Sequence, residues 1–321
     1  MALRLGRRRT VSPGRFLRYA AASLAMLGVV VASGAFVRLT GSGLGCEDWP
    51  NCGETVLPAT GGHALIEFGN RVVGLVGILA TLGVWLASRR VDGLPRSVRL
   101  LALGTFLGTV AQAPLGGVTV LLDLHPLAVM SHFLLALVVL ALAVTVVVEA
   151  WRYSASAGLS RSPGWVRVVA GVGLVACTAM VVTGAIATAS GPHPGDSSDV
   201  ERLGLGITDT VYVHVRATAV FGLMALLVAG WLVRARPGPP AVARLGTLLL
   251  GVLVVQMVVG ELQYRNALPW GLVLVHVVLA AAIWGLTVAV GYLLWRPAAL
   301  RPERSPAVER PRGLPARSPG K

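Results

Sequence analysis

Eight stretches of this chain are long and apolar enough to cross a lipid bilayer. They lie at roughly 17–37, 64–87, 100–121, 127–149, 165–188, 211–233, 242–262 and 270–294. A helical span needs about 20 mostly apolar residues, whereas a membrane strand needs only half as many. Inside hydrocarbon each backbone polar group must find its partner within the protein, which leaves helices and closed barrels as the only options. Segments of this length therefore predict an all-α membrane protein with eight transmembrane helices. The chain is 321 residues long, 55% hydrophobic and 13% charged, with a mean hydropathy of +0.74. The spans take up over half of it, so no large soluble domain is left over.

The formal net charge of +14 raises the question of nucleic acid, and its distribution answers it. With the N-terminus inside, the inner segments and their flanking helix ends hold 23 of the 28 Lys and Arg residues. The outer loops hold Arg38, Arg202 and Arg265, and Arg71 and Arg216 lie within spans. This is the positive-inside asymmetry. It predicts cytoplasmic N- and C-termini, contact with anionic lipid and no nucleic-acid partner. Arg7, Arg8 and Arg9 before an apolar run resemble a secretory signal, but the run is long for a signal core, so we read it as an uncleaved first helix. The expected organisation is a basic cytoplasmic N-terminus (1–16), a four-helix half (17–149) with an outer loop at 38–63, a cytoplasmic linker (150–164), a second four-helix half (165–294) and a disordered Pro- and Arg-rich tail (295–321).

The two halves resemble each other. "VAQAPLGG…VMSHFLLA" in spans three and four matches "VVQMVVGE…VLVHVVLA" in spans seven and eight. Gln112 and Gln256, like His132 and His276, are offset by 144. "VASGAF" in span one matches "VVTGAI" in span five at about 150, and Arg71 matches Arg216 at 145. Four helices per unit keep both units in one orientation, which predicts two parallel-repeat four-helix bundles.

All six histidines, His63, His125, His132, His193, His214 and His276, fall in outer loops or the outer parts of spans. His132, His214 and His276 begin three even-numbered spans at similar depth. A single intramembrane histidine is as well explained by an interhelical hydrogen bond as by ligation. Three at matched depth in a repeat favour ligation, and two on neighbouring helices can take both axial positions of a haem. We expect His214 and His276 to do so. Gly116, Gly117 and Gly260 would admit a flat ring or simply a neighbouring helix. Gln112 and Gln256 can bridge helices, and Arg71 and Arg216 can meet propionates or another carboxylate.

Cys46 and Cys52 lie together in the first outer loop, in a compartment where a disulfide persists. The spacing fits either a structural staple or an exposed redox-active pair. Cys177, alone in span five, reads as an apolar core residue. No CxxCH is present, so thioether-attached haem is not expected.

"GAFVRLTGSGLGCEDWPNC", the Glu-x-x-x-Arg of "IEFGNR", the span-four His132, "HVRATAV" and the span-eight His276 together resemble the haem A synthase family, in its bacterial eight-helix form. The resemblance covers about 17–294. It implies a membrane oxidoreductase of the bacterial plasma membrane, with haem sites near the extracytoplasmic side. The reaction it implies is oxidation of the C8 methyl of haem O to a formyl group by successive hydroxylations, giving haem A for terminal oxidases. It implies a haem b on His214 and His276 and a substrate side in the first half. There Glu67 is the acid–base or charge-stabilising candidate, His132 the haem ligand, and Cys46–Cys52 the cysteine pair. It also implies an upstream haem O synthase as partner and leaves the electron donor and homo-oligomeric state open.

One departure stands out. The family often reads Glu-x-x-His-Arg in span two, and here Asn70 takes the place of that His. Either His132 alone holds the substrate haem, with Asn70 orienting substrate or water, or His63 and His125 pair nearer the surface, or those two are plain polar residues at helix entrances. The rival classes are a di-haem b-type cytochrome without substrate chemistry and a parallel-repeat transporter. A haem prenyltransferase would need Asp-rich motifs on the inner side, and the sequence has none there.

Overall fold

The computed structural model describes residues 10–46, 48–53, 55–58, 61–156, 162–196 and 200–296. Eight helices account for the secondary structure among them: α1 (Pro13–Leu39), α2 (Gly62–Ser88), α3 (Arg96–Leu121), α4 (Pro126–Ala155), α5 (Gly164–Ser190), α6 (Ile207–Ala235), α7 (Pro240–Arg265) and α8 (Trp270–Trp295). All eight are long and apolar enough to span a membrane. The basic run Arg7–Arg9 and the tail from residue 297 lie outside the described residues, as do residues 157–161 of the linker.

Each helix contains the stretch expected for it and runs a few residues further. The charged residues at the ends do not stop it, because they can snorkel to the headgroup region. Start signals are local. Ser12 caps α1 by accepting from the Arg15 N–H, and Pro13, Pro126 and Pro240 open α1, α4 and α7, where a missing N–H costs nothing. Ser156 and Arg236 adopt left-handed conformations that end α4 and α6.

Helices α1 to α4 close a ring of neighbours in chain order, and α5 to α8 close a second ring in the same order. The rings meet through α1–α8, α4–α8 and α4–α5. This is the pairing that a parallel repeat about an axis beside α4 and α8 calls for. Leu137, Leu140, Cys177, Phe221 and Ile283 pack together where the rings meet, so Cys177 is a core residue. Leu79, Leu107, Val175 and Val254 are exposed, as a lipid-facing perimeter requires.

The end carrying loops 40–61, 122–125, 191–206 and 266–269 is called the outer end, after the charge asymmetry. There the Gly43 N–H donates to the Gly195 carbonyl (2.8 Å) and His193 Nε2 bonds to the Leu268 carbonyl (2.8 Å). At the inner end, Oε1 of buried Glu149 on α4 accepts from Arg152 (2.8 Å), Tyr292 (2.8 Å) and Arg296 (2.9 Å), tying α4 to α8. The Trp284 indole N–H donates to the Leu137 carbonyl across the same seam (2.8 Å).

Candidate functional site

His214 on α6 and His276 on α8 face each other near the outer end of the second ring. Their ring centroids are 6.3 Å apart and the planes are inclined by 66°. With metal–nitrogen bonds of about 2 Å and a ring radius of ~1.1 Å, two axial imidazoles place their centroids ~6 Å apart. The two rings are held differently. His214 Nδ1 contacts the Met180 carbonyl (2.9 Å) and the Thr183 hydroxyl (3.3 Å), both on α5. A carbonyl accepts only, so Nδ1 carries the proton and Nε2 keeps its lone pair, the arrangement a ligating imidazole needs. His276 Nδ1 is buried with no partner. A buried polar atom left unpaired calls for an explanation, and the plain structural account of a hydrogen-bonded interhelical histidine does not fit it. No group of three or more His, Cys, Asp or Glu able to hold a metal ion occurs among the described residues. Two opposed imidazoles alone suit an iron that brings its own four equatorial ligands, as a porphyrin does.

Small residues set this spacing. A Cβ on Gly184 of α5 would lie 3.0 Å from the His214 ring, and one on Gly260 of α7 would lie 3.1 Å from the His276 ring. Gln256, almost fully buried, donates to the His276 carbonyl (3.0 Å).

The first ring repeats this construction with one change. Gln112 donates to the His132 carbonyl (3.3 Å), a Cβ on Gly116 would touch the His132 ring at 3.4 Å, and His132 Nδ1 is again buried and unpartnered. Opposite, where α6 presents His214, α2 presents Asn70. Ser33 donates to Asn70 Oδ1 (2.7 Å), and a Cβ on Gly34 would lie 4.0 Å from the same atom. Ser33 and Gly34 correspond to Thr183 and Gly184 in the matched segments of spans one and five. Asn70 thus stands at the position that matches His214, held in the same way by the helix before it.

Glu67 and Arg71 are both engaged with the first outer loop. Glu67 Oε2 accepts from the Cys46 N–H (2.7 Å), and Oε1 accepts from Arg71 Nη2 (2.8 Å). Arg71 also donates to the carbonyls of Cys46 (3.3 Å), Pro50 (3.0 Å) and Asn51 (2.8 Å). Cys46 and Cys52 form a disulfide with a Cα separation of 4.4 Å. The Trp49 ring, at the tip of the loop they close, lies where a Cβ on Gly117 would stand. The loop is therefore pinned to α2 by charge and to α3 by Trp49, one residue from the Gly116 wall behind His132.

Arg216 is exposed and stacks on Tyr212, with Cζ 3.1 Å from the ring centroid, and no carboxylate among the described residues pairs with it. The Asn70–His214 correspondence sets the register at 144, which turns Arg216 about 100° away from the Arg71 direction. His63 Nδ1 bonds to Ser42 (2.9 Å), and His125 lies 3.6 Å from Glu201 of the other half, so neither is engaged with the other. The entrance-residue reading accounts for both. Ser33, Thr183 and Trp49 belong to the site and were not singled out from the sequence. The first two sit inside the span-one and span-five match, where their shared small-polar character was the available signal.

A family model described as cytochrome oxidase assembly protein, COX15-CtaA, matches residues 17–191, more than half of the chain. A haem A synthase of Shewanella oneidensis is 26% identical across 83% of this chain and 93% of that protein. A haem A synthase of Symbiobacterium thermophilum is 35% identical over 35% of this chain and 37% of its own length. A protoheme IX farnesyltransferase of Thermus thermophilus is 29% identical over 81% of this chain, but over only 45% of its own length.

Proposed function

The chain belongs to the COX15-CtaA family of cytochrome oxidase assembly proteins, and from that premise we propose how this multi-pass membrane enzyme converts haem O into haem A. The substrate sits in the first ring, against His132, and a haem b sits in the second, between His214 and His276. That haem supplies one-electron storage when bound. The observation that carries the division of labour is that His214 and His276 stand opposed, while α2 carries Asn70, bonded to Ser33, at the position matching His214.

The chain's own residues then have distinct tasks. His214 presents Nε2 because Met180 takes the proton of Nδ1. Gln112 and Gln256 hold the backbone at His132 and His276. Asn70 has its carbonyl oxygen occupied by Ser33, which leaves its two N–H donors to orient substrate or water beside the open face opposite His132. Glu67 is the acid–base or charge-stabilising group of this half, and the same carboxylate anchors the disulfide loop, so loop docking and proton handling share one residue. The substrate methyl is oxidised first to the alcohol and then to a geminal diol, each step replacing a C–H bond by C–O with a water oxygen and passing two electrons and two protons to an acceptor outside the chain, and the diol loses water to leave the aldehyde.

The charge asymmetry supports an outer-face location of both sites in a bacterial plasma membrane. The farnesyltransferase relative extends well beyond the region it shares with this chain, and its named chemistry produces the kind of prenylated haem this enzyme consumes. That supports an upstream haem O synthase as the supplying partner.

An absorption spectrum of the purified protein followed by pigment extraction tests the reading. One low-spin b-type haem per chain, with haem O or haem A as second pigment, is expected. Two haem b per chain would make it a cytochrome, and a colourless protein would remove the haem reading altogether.

A further inference from the structure

Two arginines come to the outer end of α5, where the two rings join, and no carboxylate among the described residues pairs with either. Arg38, in the last turn of α1, donates from Nη2 to the Thr188 carbonyl near the end of α5 (3.2 Å), and its Nε is buried without a partner. Arg202, in the segment between α5 and α6, precedes Leu203, whose N–H donates to the Ala189 carbonyl (3.3 Å), one residue on from the carbonyl that Arg38 holds. Arg202 also lines a cavity of about 940 Å³, together with Ser190, Ile207, Tyr264 and Leu268. Like charges held together at a poorly hydrated boundary are costly unless an anion joins them. The planar guanidinium fork is the group best suited to hold a carboxylate.

The position of the cavity identifies the anion. Ile207 precedes His214 by seven residues on α6, about 10 Å along the axis. Ser190 follows Gly184 by six residues on α5, about 9 Å along the axis. The cavity thus lies directly outward of the opposed imidazoles, on the two helices that hold His214. A porphyrin ligated there carries its acid side chains on one edge of the ring.

We propose that Arg38 and Arg202 form a carboxylate site for the propionate side chains of the haem in the second ring. The first half of the chain then contributes Arg38 to the cofactor of the second half. This rests on the reading that a haem is bound by His214 and His276. A phospholipid phosphate is the other oxyanion found at this depth, and the test separates the two.

Holoprotein is purified as wild type, Arg38→Gln, Arg202→Gln and Arg202→Lys, in nanodiscs of either phosphatidylcholine or phosphatidylglycerol. Loss of the low-spin haem band is followed on mixing with excess apomyoglobin. A hydrogen bond to a charged group contributes about 1.5–3 kcal/mol, so each Gln variant should release haem about 10- to 100-fold faster than wild type. Arg202→Lys should fall between, and the ratios should be alike in both lipids. Equal release rates for wild type and both Gln variants would overturn the site. An acceleration present in phosphatidylglycerol and absent in phosphatidylcholine would assign the anion to the lipid and overturn it too. A low-spin spectrum preserved in the variants before mixing shows that they fold and keep both imidazoles. A wild type without that spectrum would instead remove the bis-histidine reading.

Discussion

Asn70 and His214 are held alike, each by a small hydroxylic residue and a glycine of the preceding helix, yet only His214 can ligate iron well. The difference is chemical rather than architectural, so it should be reversible. Asn70→His should raise the low-spin haem content from one towards about two per chain when haem is supplied, because the pocket around position 70 already accommodates a ring in its counterpart. Electron paramagnetic resonance of the purified variant reads this directly, and a single low-spin species would show that the first ring does not close on iron as the second does. Glu67 offers a second residue-scale test. Gln preserves an oxygen for the Cys46 N–H but loses the ion pair with Arg71. Loss of a general acid–base group typically costs 10²–10⁴-fold. Glu67→Gln should therefore lower haem A formation in membranes by about a hundredfold or more while the low-spin haem of the second ring stays. Wild-type amounts of haem A would end the catalytic role of Glu67. The acid, the amide and the guanidinium of α2 were all visible in the sequence as costly polar residues in a span. That Glu67 and Arg71 spend their bonding capacity on a loop some twenty residues earlier was not, because such contacts depend on how the loop folds back.

Among the elements, the first outer loop is the one without a counterpart. Gly34 and Asn70 are 36 positions apart and their matches Gly184 and His214 are 30 apart, a surplus of six that equals the separation of Cys46 and Cys52. The disulfide lies within this longer segment of the first half, which folds over the first ring, onto α2 through Arg71 and onto α3 through Trp49. Arg71 can reach three loop carbonyls at once only while the loop keeps its shape. Closing a loop this short contributes about 2 kcal/mol of ordering in the chain-entropy account. Paired Cys46→Ser and Cys52→Ser replacements should make the loop susceptible to limited proteolysis and lower haem A formation, with the low-spin haem unaffected. Increased proteolysis with full haem A formation would reduce the disulfide to a staple.

On the scale of the whole molecule, the rings are joined by apolar packing in the middle and by polar contacts at both ends. Glu149 is the inner contact: three donors converge on one oxygen, and its side chain and that of Arg152 are both buried. Removing the acid leaves guanidiniums without their acceptor, which costs about 3 kcal/mol, the low end for a broken buried pair because Arg296 is partly exposed. Glu149→Leu should lower the thermal midpoint of the detergent-solubilised protein measurably, without changing the absorption maximum of the bound haem. An unchanged midpoint would show that the apolar seam alone holds the rings together. The sequence by itself determined the helix count and the all-α class and singled out the polar residues within the spans, because hydrocarbon imposes length and polarity on every span and makes each intramembrane polar residue conspicuous. Tertiary structure alone decided which of those polar residues meet. It stacked Arg216 on Tyr212, gave His63 to Ser42 and His125 to Glu201, turned Glu67 and Arg71 towards the disulfide loop and brought Arg38 to the Thr188 carbonyl. A rotation of about 100° per residue and the path of an irregular loop settle such encounters, and neither is written in local composition.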